Sequence, residues 1–253
     1  MSVEFVSAAR ATRAVAHDAP LRLVDTFGRV ARDLRVSLTD RCNLRCSYCM
    51  PPEGLDWLPV EETLSDAEVV RLVRIGVEQL GIRQVRFTGG EPLLRRGLET
   101  IIAECAQLVT DEGRTPDLAL TTNALGLAKR AQGLKDAGLN RVNISLDSLD
   151  REHYAAITRR DRLDDVLEGI EAAARAGLTP IKVNTLVLRG MNEADLPDLV
   201  DYCLDRGIEL RVIEQMPIGP VDTWDRQNIL TADEILHIMG TRHTLTPAPR
   251  EDP

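Results

Sequence analysis

Short β-rich runs alternate with amphipathic stretches six times along this 253-residue chain, and no other feature limits its fold as much. The runs lie at about 34–39, 84–88, 117–122, 141–146, 181–187 and 208–213. Helix-periodic segments fall between them, near 65–79, 93–109, 127–137, 164–176 and 195–206. Strand, helix and strand in succession make a crossover that joins parallel neighbours. The punctuation agrees. Ser65-Asp66-Ala67-Glu68 and Thr231-Ala232-Asp233-Glu234 read as capping boxes that open a first and a last helix. Gly81, Gly138, Gly177 and Gly207 each precede an apolar residue just before a strand, where a left-handed residue closes a helix. An antiparallel sheet with one wet face would fit the strands but not the helices between them. The expected fold is α/β: six βα units forming a partial (β/α)6 TIM-like barrel, laterally open.

Parity within the strands says what faces the interior. Leu34, Val36 and Leu38 alternate with Arg35, Ser37 and Thr39, and Val85 and Phe87 with Arg86 and Thr88. Leu118 and Leu120 oppose Thr121 and Asn123; Val142, Ile144 and Leu146 oppose Asn143, Ser145 and Asp147. Ile181 and Val183 oppose Lys182 and Asn184, and Leu210 and Val212 oppose Arg211. Each strand thus has an apolar and a polar face. Helices must cover the apolar faces from outside, so the polar faces line the lumen, unlike the dry, branched-apolar interior of a closed barrel. Unpaired buried charge costs several kcal/mol. Arg35, Arg86, Lys182 and Arg211 therefore predict a cavity for water or for something strongly negative.

The rim carries the chemistry. Strand C-terminal ends are where parallel barrels place their sites. Here Cys42-Asn43-Leu44-Arg45-Cys46-Ser47-Tyr48-Cys49 follows the first strand and Thr88-Gly89-Gly90-Glu91-Pro92 ends the second. Three soft thiolates spaced C-x3-C-x2-C suit an iron–sulfur cluster or zinc. No fourth ligand follows, because the next residues are Met50-Pro51-Pro52. Three thiolates on four irons leave one iron open, whereas a zinc knot would need a distant His, and spacing alone leaves that alternative standing.

Composition excludes several classes of partner. A formal net charge of −9 argues against nucleic acid or anionic membrane as a general partner. No apolar run approaches the ~20 residues of a membrane span. Five cysteines, an odd number, fit a reducing compartment better than a disulfide framework, so a cytoplasmic location is expected. Cys105 and Cys203, in helical segments, read as small buried hydrophobes. His17, His153, His237 and His243 fall outside the rim motifs and read as surface residues.

The wording of the motifs is more specific than their spacing. DLRVSLTDRCNLRCSYCMP, VRFTGGEPLLRR, LTTNA, RVNISLDSLD, IKVNTLVLRGMN and LRVIEQMPIG, in that order, resemble the GTP 3′,8-cyclase family of the radical S-adenosylmethionine (SAM) superfamily. The resemblance runs over about residues 30–245. It implies a 4Fe–4S cluster on Cys42, Cys46 and Cys49, with SAM chelating the open iron. It further implies that Tyr48, Gly90, Ser145 and Met216 contact SAM, and that Arg35, Arg86, Thr121 and Lys182 bind GTP. For Met216 the residue type alone favours an ordinary core methionine. The implied reaction is one-electron cleavage of SAM, hydrogen abstraction from C3′ of GTP and closure onto C8, giving 3′,8-cyclo-7,8-dihydro-GTP for molybdenum cofactor biosynthesis. A low-potential electron donor and the next enzyme of that pathway are the implied partners. The open edges of the first and last strands point to self-association as a homodimer. Alternatives are a radical SAM peptide or cofactor maturase, or a noncatalytic metal-binding module.

Two departures stand out. Ala124 replaces the glycine usual after TTN in the family. The family also carries a C-terminal C-x2-C…C set for a second 4Fe–4S cluster, and no cysteine follows Cys203 here. The expected division is an N-terminal extension at 1–29, the partial barrel at 30–240, and at 241–253 the start of a linker to a missing C-terminal region.

Overall fold

The computed structural model describes residues 21–216 and 229–248. Six strands, β1 (Asp33–Ser37), β2 (Gln84–Thr88), β3 (Asp117–Thr122), β4 (Arg141–Ser145), β5 (Ile181–Leu186) and β6 (Glu209–Ile213), form one sheet. Their order is sequential, β1 to β6, and every neighbouring pair is parallel. Among the described residues β1 and β6 remain edges, so the sheet is an open barrel, as the alternation predicts. Between the strands lie α1 (Asp66–Arg74), α2 (Leu98–Cys105), α3 (Leu127–Asp136), α4 (Arg151–Thr158), α5 (Leu163–Arg175) and α6 (Leu196–Asp205), and α7 (Ala232–Gly240) follows β6.

Local chemistry sets the helix ends. Both expected capping boxes are present, Ser65 with Glu68 and Thr231 with Glu234. Gly81, Gly138, Gly177 and Gly207 all take positive φ, between 62° and 105°, as helix-closing residues do. α1 runs on into a π-helical turn, Ile75–Gln79. α2 is shorter than its apolar periodicity suggests, because Pro92–Leu94 forms a separate 3-10 turn. α4 is not among the expected helices, because its 8 residues make barely two turns. Asp150 caps it, accepting from the backbone N–H groups of Glu152 and His153.

The polarity of the sheet is as parity requires. Val85, Phe87, Leu118, Leu120, Val142, Ile144 and Val183 are fully buried beneath the helices. Cys105 and Cys203 join that core from α2 and α6. The opposite face stacks polar residues in register. Arg35, Arg86, Ala119 and Arg141 make one layer. Thr121, Asn143, Lys182 and Glu209 make the next, and Ser145, Asn184 and Arg211 the third, nearest the rim. The expected extension up to residue 20, with His17, and the tail from 249 lie outside the described residues. The described stretch 241–248 contains no helix or strand.

The two faces should respond differently to substitution. Phe87→Ala leaves a core cavity and should cost about 3–5 kcal/mol in urea unfolding. Arg86→Met, one residue away on the lumen face, should cost far less, because it removes a cation from among other cations. Equal losses would mean that the sheet is turned the other way.

Candidate active site

The cysteine loop hangs between the end of β1 and the C-terminal turn of α4. Arg45 N–H donates to Thr158 O at 3.1 Å and Ser47 N–H to Ile157 O at 2.8 Å. Arg159, itself left-handed with φ 55°, closes α4 and donates to the carbonyls of Arg45 and Met50. The Arg45 guanidinium turns back onto the Cys42 and Leu44 carbonyls. Cys42 and Cys46 are half-buried and Cys49 is exposed; all are free thiols. Burial raises all three thiol pKa values, that of Cys46 to about 12 with Asp147 adding to the effect. Only a bound cation would hold Cys46 as a thiolate at neutral pH. Among the described residues, no three His, Cys, Asp or Glu side chains converge as ligands of a single metal ion. A four-iron cluster presents a different iron to each thiolate, so its ligands need not converge on one point.

Glu91 joins the second and third strands to this loop. Its side chain is 1 % exposed and accepts from Leu93 N–H, Thr122 Oγ1–H and Asn123 N–H at 2.7–2.9 Å. Burial raises its pKa, and the two backbone and one hydroxyl donors oppose that rise. Its own N–H donates to Arg41 O, and Gly90 N–H to Thr39 O. A Cβ on Gly90 would collide with the Asp40 and Arg41 carbonyl oxygens. Glycine is needed here for the approach of the cysteine-loop backbone, in addition to any ligand. Asn123 reaches the loop as well, donating to Asn43 Oδ1 at 2.8 Å, with Cys42 Sγ at 3.9 Å. Ala124, which follows, has φ 64°. A left-handed backbone explains why glycine is natural at that position.

The fourth strand supplies Asp147. Its buried carboxylate accepts from Tyr48 O–H and Leu186 N–H, both at 2.9 Å, so one residue ties Tyr48 to β5. Burial raises the Asp147 pKa to about 6. Ser145 ends β4, half-buried, with no side-chain hydrogen bond to the described residues. Met216, beyond β6, is 55 % exposed, which overturns the core-methionine reading of it. A cavity of about 270 Å³ beside Tyr48 is lined by Ser47, Arg159, Arg189 and Gln215.

Deeper in the lumen the cations gather. A cavity of about 440 Å³ touches Arg86, Arg141, Lys182 and Arg211 together with Asp117. Arg86 Nε is buried without a hydrogen-bond partner among the described residues. Burial lowers the Arg86 pKa; Arg35, Arg141 and Arg211 add like-charge repulsion, and Asp33 opposes them in part. Arg35 is exposed on the edge strand. The other cations are not all unpaired, which corrects the expectation from parity. Glu209 holds Lys182 at 2.6 Å and Arg211 at 2.8 Å, and Asp117 holds Arg141 at 2.7 Å. Thr121 is half-buried, and its Oγ1 accepts from Asn143 Nδ2 at 3.3 Å. The histidines need a smaller correction. His237 is exposed, but His153 and His243 are half-buried and face Asp195 and Asp201 at 2.8 and 3.2 Å.

Sequence reasoning missed Glu209, Glu91, Asp147 and Asn123 as side chains with roles. Glu209 had a usable signal, since it shares the parity of Arg211. Parity placed Asn123 and Asp147 on the polar face but not their partners, which come from other loops, and Glu91 lies beyond the end of β2, where periodicity no longer says which way a side chain points.

Residues 36–203 match the model of the radical SAM superfamily. A protein of Corynebacterium glutamicum described as GTP 3′,8-cyclase is 63 % identical over 226 residues, 89 % of this chain and 60 % of that protein. Proteins with the same description from Rhodococcus opacus and Mycolicibacterium smegmatis are 56 % and 57 % identical. Those matches cover 91 % and 90 % of this chain, and 64 % and 62 % of the relatives. The chain therefore spans less than two thirds of the length of these relatives. Among solved structures, Streptococcus suis SuiB bound to S-adenosylmethionine superposes with a TM-score of 0.58 at 19 % identity, covering 72 % of this chain and 38 % of that one. HydG, a maturase of the [FeFe]-hydrogenase, gives 0.62 at 15 % identity, covering 85 % and 50 %. At such identities these two likenesses show the fold alone.

Asp147 gives this site a pH signature. A carboxyl whose folded pKa of about 6 exceeds the usual 3.8 stabilises the fold fully below pH 3.8. That contribution is lost as pH rises through 6. Relative to Asp147→Asn, the wild-type chain without metal should lose up to about 3 kcal/mol between pH 4 and 7. Urea titrations of both chains across that range check it, and a difference that does not vary with pH would refute it.

Proposed function

The chain belongs to the radical SAM superfamily, and from that footing we propose that it performs the chemistry of GTP 3′,8-cyclisation. One observation carries the substrate side of this reading: Arg86 Nε, buried and without a partner among the described residues, beside a lumen cavity that also touches Arg141, Lys182 and Arg211. A guanidinium kept from its usual partners is matched by a phosphate group, which accepts from it with charge assistance. The relatives described as GTP 3′,8-cyclases support the same reading.

The donor set fits the cofactors that the superfamily implies. Cys42, Cys46 and Cys49 would hold the 4Fe–4S cluster, with no fourth protein ligand, leaving an iron for SAM. Tyr48, Gly90, Ser145 and Met216 would surround SAM: Ser145 has a free hydroxyl to donate, and Asp147 fixes Tyr48. When bound, cluster and SAM supply the one-electron cleavage that begins hydrogen abstraction from the nucleotide ribose. The chain's own residues bind and orient. Arg35, Arg86, Thr121 and Lys182 would take the triphosphate, with Lys182 exchanging part of its pairing with Glu209 for phosphate. A peptide substrate would have no use for these cations.

The remaining partners follow from the same reading. A low-potential electron donor would reduce the cluster, and the next enzyme of molybdenum cofactor biosynthesis would take the product. The open β1 and β6 edges suit a homodimer. A second 4Fe–4S cluster would need thiolates from outside this sequence, since Cys105 and Cys203 are buried singly in helices. Among the described residues no helix is long and apolar enough to cross a membrane, and a cytoplasmic setting would suit the free thiols.

Anaerobic reconstitution with iron and sulfide, then incubation with SAM, GTP and reductant, tests the reading. It should yield a brown, oxygen-labile cluster whose spectrum responds to SAM. Cys46→Ala should abolish the cluster and Cys203→Ala should retain it. Arg86→Ala should weaken GTP by about 1.5–3 kcal/mol while sparing SAM. Stoichiometric zinc in place of iron, or equal affinity for GTP and guanosine, would overturn it.

A further inference from the structure

Asn143 has no part in the reading above. It lies in the middle of β4, 1 % exposed, on the lumen face and in register with Thr121 and Lys182. Its amide nitrogen donates to Thr121 Oγ1 at 3.3 Å, while its buried side-chain oxygen accepts no hydrogen bond from the described residues. Buried polar atoms in folded proteins are nearly always paired, so an orphan of this kind marks a place reserved for something else.

The chemistry of the orphan narrows what that is. Arg86 Nε, also unpartnered, is a donor and suits phosphate oxygens. Asn143 Oδ1 is an acceptor. A triphosphate at neutral pH offers almost only acceptors, so the Asn143 oxygen serves a hydroxyl or an N–H. Register supplies the height. Asn143 stands one layer rimward of Arg86 and Arg141, and one layer below Ser145 at the strand end. Each layer is two residues, roughly 6.6 Å along a strand. Lys182 and Arg211, although rooted in higher layers, line the same lower cavity as Arg86 and Arg141, so a nucleotide with its phosphates there and its reacting end toward the cysteine rim brings its sugar to the level of Asn143.

We propose that Asn143 Oδ1 accepts a hydrogen bond from a ribose hydroxyl of the nucleotide, and so distinguishes a ribonucleoside triphosphate from its deoxy counterparts. The inference rests on the reading that a nucleoside triphosphate occupies the lumen. Asn143 is then a binding residue that fixes the turn of the sugar, and with it which ribose carbon faces the rim. Thr121 Oγ1 holds the amide in place by accepting from it, which leaves the Thr121 O–H to donate to phosphate.

Calorimetric affinities of the full chain for GTP, 2′-deoxy-GTP, 3′-deoxy-GTP and inorganic triphosphate test it. In the wild type, at least one deoxy analogue should bind about tenfold more weakly than GTP, the scale set by an unpaired buried acceptor. In Asn143→Ala that ratio should fall to near one, while inorganic triphosphate binds within about twofold of wild type on the same scale. Asn143→Asp keeps an acceptor and should keep the discrimination, although its charge weakens every triphosphate. An unchanged ratio in Asn143→Ala overturns the proposal, as does a wild type indifferent to both hydroxyls. Loss of inorganic triphosphate in parallel with GTP in Asn143→Ala also overturns it, by assigning the amide to phosphate. A wild type that binds neither GTP nor inorganic triphosphate refutes the lumen reading itself. Circular dichroism separates misfolding from lost binding, and the wild-type analogue series needs no variant.

Discussion

The rim of this barrel depends on one buried carboxylate. Glu91 sits where β2 ends, and its two oxygens are satisfied by donors from its own turn and from the end of β3. Its N–H, with that of Gly90, holds the backbone leading into the cysteines. A buried ion without such donors would cost several kcal/mol. With them, it becomes a rigid junction among the first three strand ends. Asp147 does the same work on the other side, tying Tyr48 of the cysteine loop to β5. The loop is thus held from two directions by acids that are not themselves thiolate or imidazole ligands. The residues that hold its backbone outnumber the three thiols it presents.

The lumen is built on a different balance. Cations stack along the inner face in register, and only some have acids beside them. Glu209 serves both Lys182 and Arg211, and Asp117 serves Arg141, which leaves Arg86 squeezed among like charges. A wholly neutralised lumen would have little attraction for an anion, and a wholly unpaired one would oppose folding. The partial pairing lets the fold tolerate its cations while leaving one strongly disposed toward negative charge. Selectivity for a particular anion needs groups that are not charged, and Thr121 and Asn143 are placed among the cations in that middle layer.

Most of the architecture was legible because period-2 and period-3.6 patterns are strong where strands and helices are regular. The six strand positions, the inward cations and the helix-closing glycines all follow from such patterns. The cysteine loop was legible because thiol spacing is itself a chemical statement. What escaped lies where periodicity stops. Glu91 sits past the end of β2, and although parity turned Asn123 and Asp147 inward, the partners of all three are set by the meeting of separate loops. α4 escaped because two turns give too little repetition, although Asp150 stood as its cap. Glu209 was a different failure. Its parity was readable, but the pairing of an acid with two cations depends on which strands are neighbours. Ala124 shows the converse, since the departure from glycine was visible while its reason, a left-handed backbone, was not.

The sequential order of the strands also shapes how the molecule is assembled. Each strand pairs only with the one made just before it, so the sheet can grow unit by unit as the chain leaves the ribosome. The cysteine loop cannot be completed on that schedule. Arg45 and Ser47 await the carbonyls of Thr158 and Ile157, Tyr48 awaits Asp147, and 114 positions separate Arg45 from the Arg159 that clasps it. The thiols are therefore synthesised early and stay unsecured until the fourth unit has emerged. During that interval they are open to oxidation and to stray metal ions. Insertion of iron and sulfide belongs after α4 has formed, and a nascent chain stalled before it would carry its three thiols on an unfastened loop.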